Sequence, residues 1–128
     1  MRQYQLFIDT VTRPGSYAAI KQAEQVVAEV FAEGSRNQAE QLLASIIDLL
    51  ARNKIGLTEI SQIEVVNTGG SFTSLRIGVV TANALAYGLG VRVVSDNGQA
   101  LIGAEYDLVE PHYTSEPSIT LKKDKNTV

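Results

Sequence analysis

Short apolar runs alternate along the chain with two longer segments in which apolar residues recur at helical spacing. Runs at 4–8, 63–66 and 91–95 have the length and the β-branched content of strands. The segments 36–53 and 74–90 carry apolar residues three and four positions apart, as amphipathic helices do. The second helix lies between the last two strands, which indicates a βαβ unit with parallel strands. The pattern therefore predicts an α/β domain.

Residues 17–32 permit two interpretations. Apolar runs at 17–20 and 25–32 flank a polar break at 21–24, and the second run contains a β-branched valine pair. These features favour two strands, which with the first strand would form an antiparallel meander. The alanine content instead favours a helix over 18–31. We take the strands as the prediction and keep the helix as the alternative.

The joint between the apolar run at 63–66 and the second helix reads NTGGSFTSLRIG at 67–78. Its two glycines permit positive φ angles, and Ser71, Thr73 or Ser74 can cap the new helix. A strand, a glycine turn and a helix N-terminus together form a geometry that binds anions. The alternative is an ordinary turn, because the spacing matches neither G-x-G-x-x-G nor a Walker loop. The candidate phosphate- or anion-binding residues are Asp9, Thr10, Gly70, Ser71 and Thr73.

Both predicted helices are more apolar than contact with a single sheet requires. The second helix has one charged residue, Arg76, which could pair with Asp9, with a partner carboxylate or with solvent. Burial of apolar surface stabilises association by about 25 cal/mol per Å², and large apolar patches usually mark interfaces. We therefore predict a helix-mediated contact with another protein, unless residues 100–128 cover these faces. The predicted interface residues are Leu42, Leu43, Ile46, Ile47, Leu50, Val79, Ala82, Leu85, Ala86 and Leu89.

The composition of the chain limits the kinds of functional site it can contain. Its 128 residues, 45% of them apolar, fit one domain with a substantial core. There is no cysteine, and His112 is the only histidine, so we predict no metal site and no catalytic residue. The net charge of −3 does not favour direct contact with nucleic acid. No signal peptide or membrane-spanning run is recognisable, so we expect a cytoplasmic protein.

Several segments resemble one family. The run FIDT at 7–10 resembles its first strand, and GSFT at 70–73 followed by LRIG at 75–78 resembles its signature sequence. The run ALA at 84–86 is similar to the helix that follows that signature. The family is TsaB, also called YeaZ, an inactive peptidase-like partner protein in bacterial tRNA threonylcarbamoyladenosine synthesis. The resemblance covers about residues 4–96, with weaker likeness in the tail.

The resemblance implies a fold and a domain organisation. We expect a single actin-like (ribonuclease H-like) lobe with a mixed five-stranded sheet of order 3-2-1-4-5 and two main helices. The lobe would comprise residues 1–109, and residues 110–128 would form an extended C-terminal tail. The chain would then be a minimal family member with one actin-like lobe.

The resemblance also implies a function. The chain would be a non-catalytic subunit that binds and supports TsaD in tRNA N6-threonylcarbamoyladenosine modification, while TsaD performs the transfer. We expect a heterodimer with a TsaD-like protein, contact with the pathway ATPase, and a homodimer when the chain is alone. No bound cofactor is expected, and ATP or ADP would bind only at an interface within the complex.

Two alternatives stay open at this point. The chain could be a reduced actin-like ATPase or phosphotransferase that uses Asp9, Thr10 and the turn at 71–73. It could also be a homodimeric scaffold that associates through the same two helices. Thermal stabilisation by ATP would favour the enzyme, and the mass in solution would identify self-association.

Overall fold

The computed structural model of the protein describes residues 3–12, 14–33, 37–69 and 71–96. Within these ranges five strands form one sheet, and two α-helices pack on it. In chain order the elements are β1 Tyr4–Asp9, β2 Ser16–Gln22, β3 Gln25–Ala32, α1 Gln38–Arg52, a short 3-10 turn Leu57–Glu59, β4 Ile60–Val65, α2 Phe72–Leu89 and β5 Arg92–Ser95.

The sheet is mixed and has the order β3-β2-β1-β4-β5. The pairs β1–β2 and β2–β3 are antiparallel, whereas β1–β4 and β4–β5 are parallel. This confirms the predicted fold class and the βαβ unit. It also confirms strands rather than a helix between residues 17 and 32. A two-residue turn joins β2 to β3, and both Ala23 and Glu24 adopt positive φ angles there, as in type I′ hairpins.

The core lies between the sheet and the two helices, which occupy the same side of the sheet. Helix α1 contacts β2 and β3, and α2 contacts β4, β5 and β1. Every second residue of each inner strand points to this side, as the pleat requires. The largest fully buried side chains are Leu6, Ile8, Ile20, Leu42, Ile46, Ile60, Ile63, Leu75, Val65, Val79 and Val93.

The helix starts differ from the predicted ones. Helix α1 begins at Gln38 rather than at residue 36, with Asn37 left-handed at φ 54° and no capping side chain. The Gln38 side chain makes hydrogen bonds to Gly15 and Ser16. Helix α2 begins two residues earlier than predicted, because Ser71 provides its cap.

Two further strand boundaries differ from the prediction. Strand β4 begins at Ile60, three residues earlier than expected, and the buried Ile60 side chain joins the core. Strand β5 begins at Arg92 rather than at residue 91. The predictions for residues 100–128, including the tail and His112, lie outside the described residues. In the described part of the chain no helix is long and apolar enough to cross a membrane.

Candidate functional site

Buried polar residues collect where the parallel strands end. Strand β1 ends at Asp9 and Thr10 follows it, Asn67 follows β4, and Ser95 ends β5; all four residues are buried. The Asn67 backbone N–H donates to Asp96 Oδ1 at 3.3 Å, which links the ends of β4 and β5. Ligands of α/β proteins commonly bind at the carboxyl ends of parallel strands. This edge is therefore the candidate site of the domain.

The Asp9 carboxylate is engaged by the turn that follows it. Its Oδ1 accepts hydrogen bonds from the backbone N–H groups of Val11 at 2.9 Å and Thr12 at 3.0 Å. Its Oδ2 accepts the hydroxyl hydrogen bond of Thr12. Aspartate commonly closes a turn by bonding the N–H groups two and three residues further on. Asp9 therefore holds the chain as it leaves β1.

Thr10 and Ser71 both fix the start of α2. The Thr10 hydroxyl donates to the Ser74 carbonyl oxygen at 2.5 Å, and Ser71 Oγ accepts from the Ser74 N–H at 3.0 Å. Helix α2 passes so close to Thr10 that a Cβ at Gly78 would lie 2.5 Å from its Oγ1. A glycine is therefore needed at that position of the helix.

The predicted anion-binding residues are only partly brought together. Asp9 and Thr10 adjoin in sequence, and Thr10 is linked to Ser71 through Ser74. Thr73 is exposed, and Gly70 lies outside the described residues. Since the carboxylate and both hydroxyl groups already make internal hydrogen bonds, an anion would compete with these bonds. The anion site stays a prediction, and the described residues hold no group of three metal-binding side chains.

Gln38 is a structural residue that the sequence analysis missed. Its Nε2 donates to the Gly15 carbonyl oxygen and to Ser16 Oγ, both at 3.2 Å. Its Oε1 accepts a long hydrogen bond, 3.5 Å, from the Ser74 hydroxyl. One buried amide thus connects α1 with the start of β2 and the start of α2. The sequence did indicate that Gln38 is buried, because it stands four residues before Leu42 on the sheet-facing stripe of α1.

A second candidate site is the surface of α1 and α2 that points away from the sheet. Leu43 and Ile47 are exposed on α1, and Val80 and Tyr87 are exposed on α2; Ile47 is 53% and Val80 55% accessible. Leu43 and Val80 also line a shallow groove of about 370 Å³ between the helices. We call these four residues the outer helical face.

Only some of the predicted interface residues are accessible at the surface of the structure. Leu43 and Ile47 are exposed, whereas Leu85 and Leu89 are partly buried. The other side chains are buried in the core of the same chain, so they have almost no accessible surface. Val80 and Tyr87 are exposed apolar residues that the prediction did not include. The covered residues are Leu42, Ile46, Leu50, Val79, Ala82 and Ala86.

Arg76 is exposed on α2 and lines a neighbouring part of the groove, together with Ile77 and Thr81. It does not pair with Asp9, whose hydrogen bonds come from its own turn. A positive charge therefore stands at the rim of the apolar groove, where a carboxylate of a partner could meet it.

Comparison with known proteins identifies the family. A family model described as TsaD, tRNA N6-adenosine threonylcarbamoyltransferase, matches residues 25–113, which is more than half of the chain. The chain belongs to this family. A curated relative, the tRNA threonylcarbamoyladenosine biosynthesis protein TsaB of Haemophilus influenzae, is 29% identical over 104 residues. That match covers 80% of this chain and 43% of the relative.

Solved structures agree with this assignment. YeaZ from Pseudomonas aeruginosa superposes with a TM-score of 0.65 and 25% sequence identity, over 73% of this chain and 43% of that one. A second structure, a protein with similarity to peptidase YeaZ from Pseudomonas aeruginosa, gives the same TM-score and identity. The resemblance to TsaB (YeaZ) is thus confirmed, and so is the actin-like fold. The chain spans less than half the length of these relatives.

Proposed function

We propose that the chain is a non-catalytic TsaB-like subunit that binds a TsaD-like protein in tRNA N6-threonylcarbamoyladenosine modification. The family and its TsaB relative support a role in this modification. The observation that carries the binding role is the outer helical face, where four large apolar side chains on two adjacent helices remain exposed. Apolar clusters of this kind on a folded domain favour association with another protein.

The contact would be made by helices packing on helices. Leu43 and Ile47 are four residues apart on α1, and Val80 and Tyr87 are seven apart on α2, so each pair lies along one side of its helix. The groove between them would receive apolar side chains of the partner. Arg76 at the rim would pair with a partner carboxylate and fix the orientation.

The arrangement at the strand ends does not favour catalysis by this chain. An ATPase of this fold would need the Asp9 carboxylate to orient a metal–phosphate group. Both Asp9 oxygens instead accept hydrogen bonds from the adjacent turn, and the Thr10 hydroxyl holds α2. We therefore assign the transfer reaction to the partner.

The test is co-expression with the TsaD of the same genome, followed by size exclusion with mass detection. We expect a heterodimer that Ile47→Glu and Val80→Glu each weaken at least tenfold, because a carboxylate would be desolvated in an apolar contact. Leu57→Glu is the matched control, because Leu57 is 39% exposed and lies in the 3-10 turn, outside the outer helical face.

Three outcomes would contradict the proposal. One is the absence of a complex with TsaD, and another is a complex that tolerates both glutamates on the helices. The third is a homodimer that persists in the presence of TsaD, which would identify a scaffold that associates through the same face.

A further inference from the structure

The outer edge of β3 is an open sheet edge. Strand β3 pairs with β2 on one side, and among the described residues no strand pairs with it on the other. Alternate residues of an edge strand direct their N–H and C=O groups outward, where they can bond another strand. With eight residues, β3 is the longest strand of the sheet.

Most devices that protect sheet edges are missing from β3. The strand reads QVVAEVFA, without proline or lysine, the residues that commonly block strand addition. Its one irregularity is a bulge near Val26, opposite Ile20 and Lys21. Residues 28–32 continue in regular register with β2. Five residues of this edge can therefore pair with an added strand.

Side chains at this edge offer specific contacts to such a strand. Phe31 is 42% exposed and lies opposite Tyr17 of β2. Tyr17 in turn packs edge-to-face on Phe7 of β1, with ring centroids 6.1 Å apart. The row of aromatic rings thus crosses three strands on the side of the sheet opposite the helices and ends at the edge. An aromatic or β-branched residue on an added strand would continue it.

The charge along β3 indicates which kind of strand would bind. Glu24, Glu29 and Glu33 stand before, within and after the strand, and all three are exposed. Glu29 Oε1 accepts the Tyr17 hydroxyl hydrogen bond at 2.5 Å, which holds this carboxylate on the side of the sheet opposite the helices. Two copies of β3 paired antiparallel about their centres would bring these carboxylates together. Like charges across strands are destabilising, so the charge disfavours a second copy.

We propose that β3 binds an extended segment of a partner protein, in which apolar residues alternate with lysine or arginine. Its backbone would extend the sheet by one strand, an apolar side chain would pack on Phe31, and a cation would face Glu29. This surface lies on the opposite side of the sheet from the outer helical face and at its edge, so both partners could bind at once.

Two synthetic peptides provide the test, each about six residues long, the usual length of a strand. Both alternate valine with polar residues and have blocked ends; one carries two lysines, and the other carries glutamates in the same positions. Titration into isotope-labelled chain is followed by amide shifts and hydrogen exchange. We expect the lysine peptide to protect β3 amides, with affinity roughly tenfold above that of the glutamate peptide.

A charge-neutral variant tests whether the charge of Glu29 causes the preference for the lysine peptide. Glu29→Gln keeps an acceptor for Tyr17 but removes the charge, so it should reduce the preference for the lysine peptide. Glu40→Gln, an equal change at an exposed position of α1, should leave the preference intact. Equal binding of both peptides, or protection that bypasses β3, would overturn the proposal. Protection of β3 that rises with protein concentration alone would also overturn it, because the occupant would then be a second copy.

Discussion

Gly78 and Gly88 are two glycines of α2 whose replacement by alanine should have opposite effects on stability. Alanine is favoured over glycine inside a helix by about 1 kcal/mol, so both substitutions gain this amount from helix propensity. At Gly88 a new Cβ would meet nothing within 4 Å. We therefore expect Gly88→Ala to raise the free energy of unfolding by up to about 1 kcal/mol.

At Gly78 the same methyl group would lie 2.5 Å from Thr10 Oγ1 and 3.3 Å from its Cγ2. Thr10 is buried, so relief requires moving its side chain or the helix. Overpacking costs about 1–3 kcal/mol, and the lost Thr10 hydrogen bond to Ser74 costs about 1 kcal/mol more. After the gain in propensity, Gly78→Ala should lower the free energy of unfolding by about 1–3 kcal/mol.

Urea denaturation followed by circular dichroism measures both effects. A Thr10→Ala background gives an internal check, because it removes the two nearest atoms, and the third, Thr10 Cβ, lies at an ordinary contact distance of 3.5 Å. In that background Gly78→Ala should be neutral or stabilising by up to about 1 kcal/mol, which corresponds to a coupling of about 1–4 kcal/mol. The close packing of α2 on Thr10 would be refuted if Gly78→Ala stabilised the wild-type chain as Gly88→Ala does.

Two further pairs of variants test the packing of α1. Gln38→Leu should lower the free energy of unfolding by about 1–3 kcal/mol, because the Gly15 carbonyl and the Ser16 hydroxyl lose their donor. Gln41→Leu on the same helix is the control. Equal urea midpoints for the two variants would contradict the bridging role of Gln38. Ile46→Ala should cost about 2–5 kcal/mol in thermal or urea unfolding, because that side chain is fully buried. The adjacent Ile47→Ala should stay within about 0.5 kcal/mol of wild type, and similar losses at both positions would contradict the orientation of the helix.

The order and type of most elements could be predicted because they follow from local periodicity. The runs that form β1, β4 and β5 are apolar and short, and the α1 stripe repeats every three to four residues. The β2–β3 hairpin was harder, because alanine favours helix and the turn residues Ala23 and Glu24 lack the usual Asn-Gly signal. Burial of Ala18, Ala19 and Ile20 within the sheet outweighs that local preference.

Contacts between distant residues could not be predicted from local pattern. Thr10 and Ser74 are 64 positions apart, yet a hydrogen bond joins them. The same close approach of α2 to Thr10 leaves no room for a Cβ at Gly78. Gln38 likewise bridges elements that meet only after folding. Each of these residues has a polar side chain that local rules assign to a cap or to solvent. Their roles depend on the register between α1, α2 and the sheet, which the sequence pattern does not specify.

The α1 residues of the proposed partner interface follow from helical periodicity. Adjacent residues of a helix are separated by about 100° around its axis, so Ile46 and Ile47 cannot both face the sheet. The stripe that contains Leu42 and Ile46 is continuous over the whole helix, and it is the one that is buried. Leu43 and Ile47 are therefore the α1 residues that stay exposed for the proposed contact. Because Ile47 is exposed and Ile46 is fully buried, we expect a substitution at Ile47 to weaken the proposed association while leaving the fold intact, whereas a substitution at Ile46 would destabilise the fold.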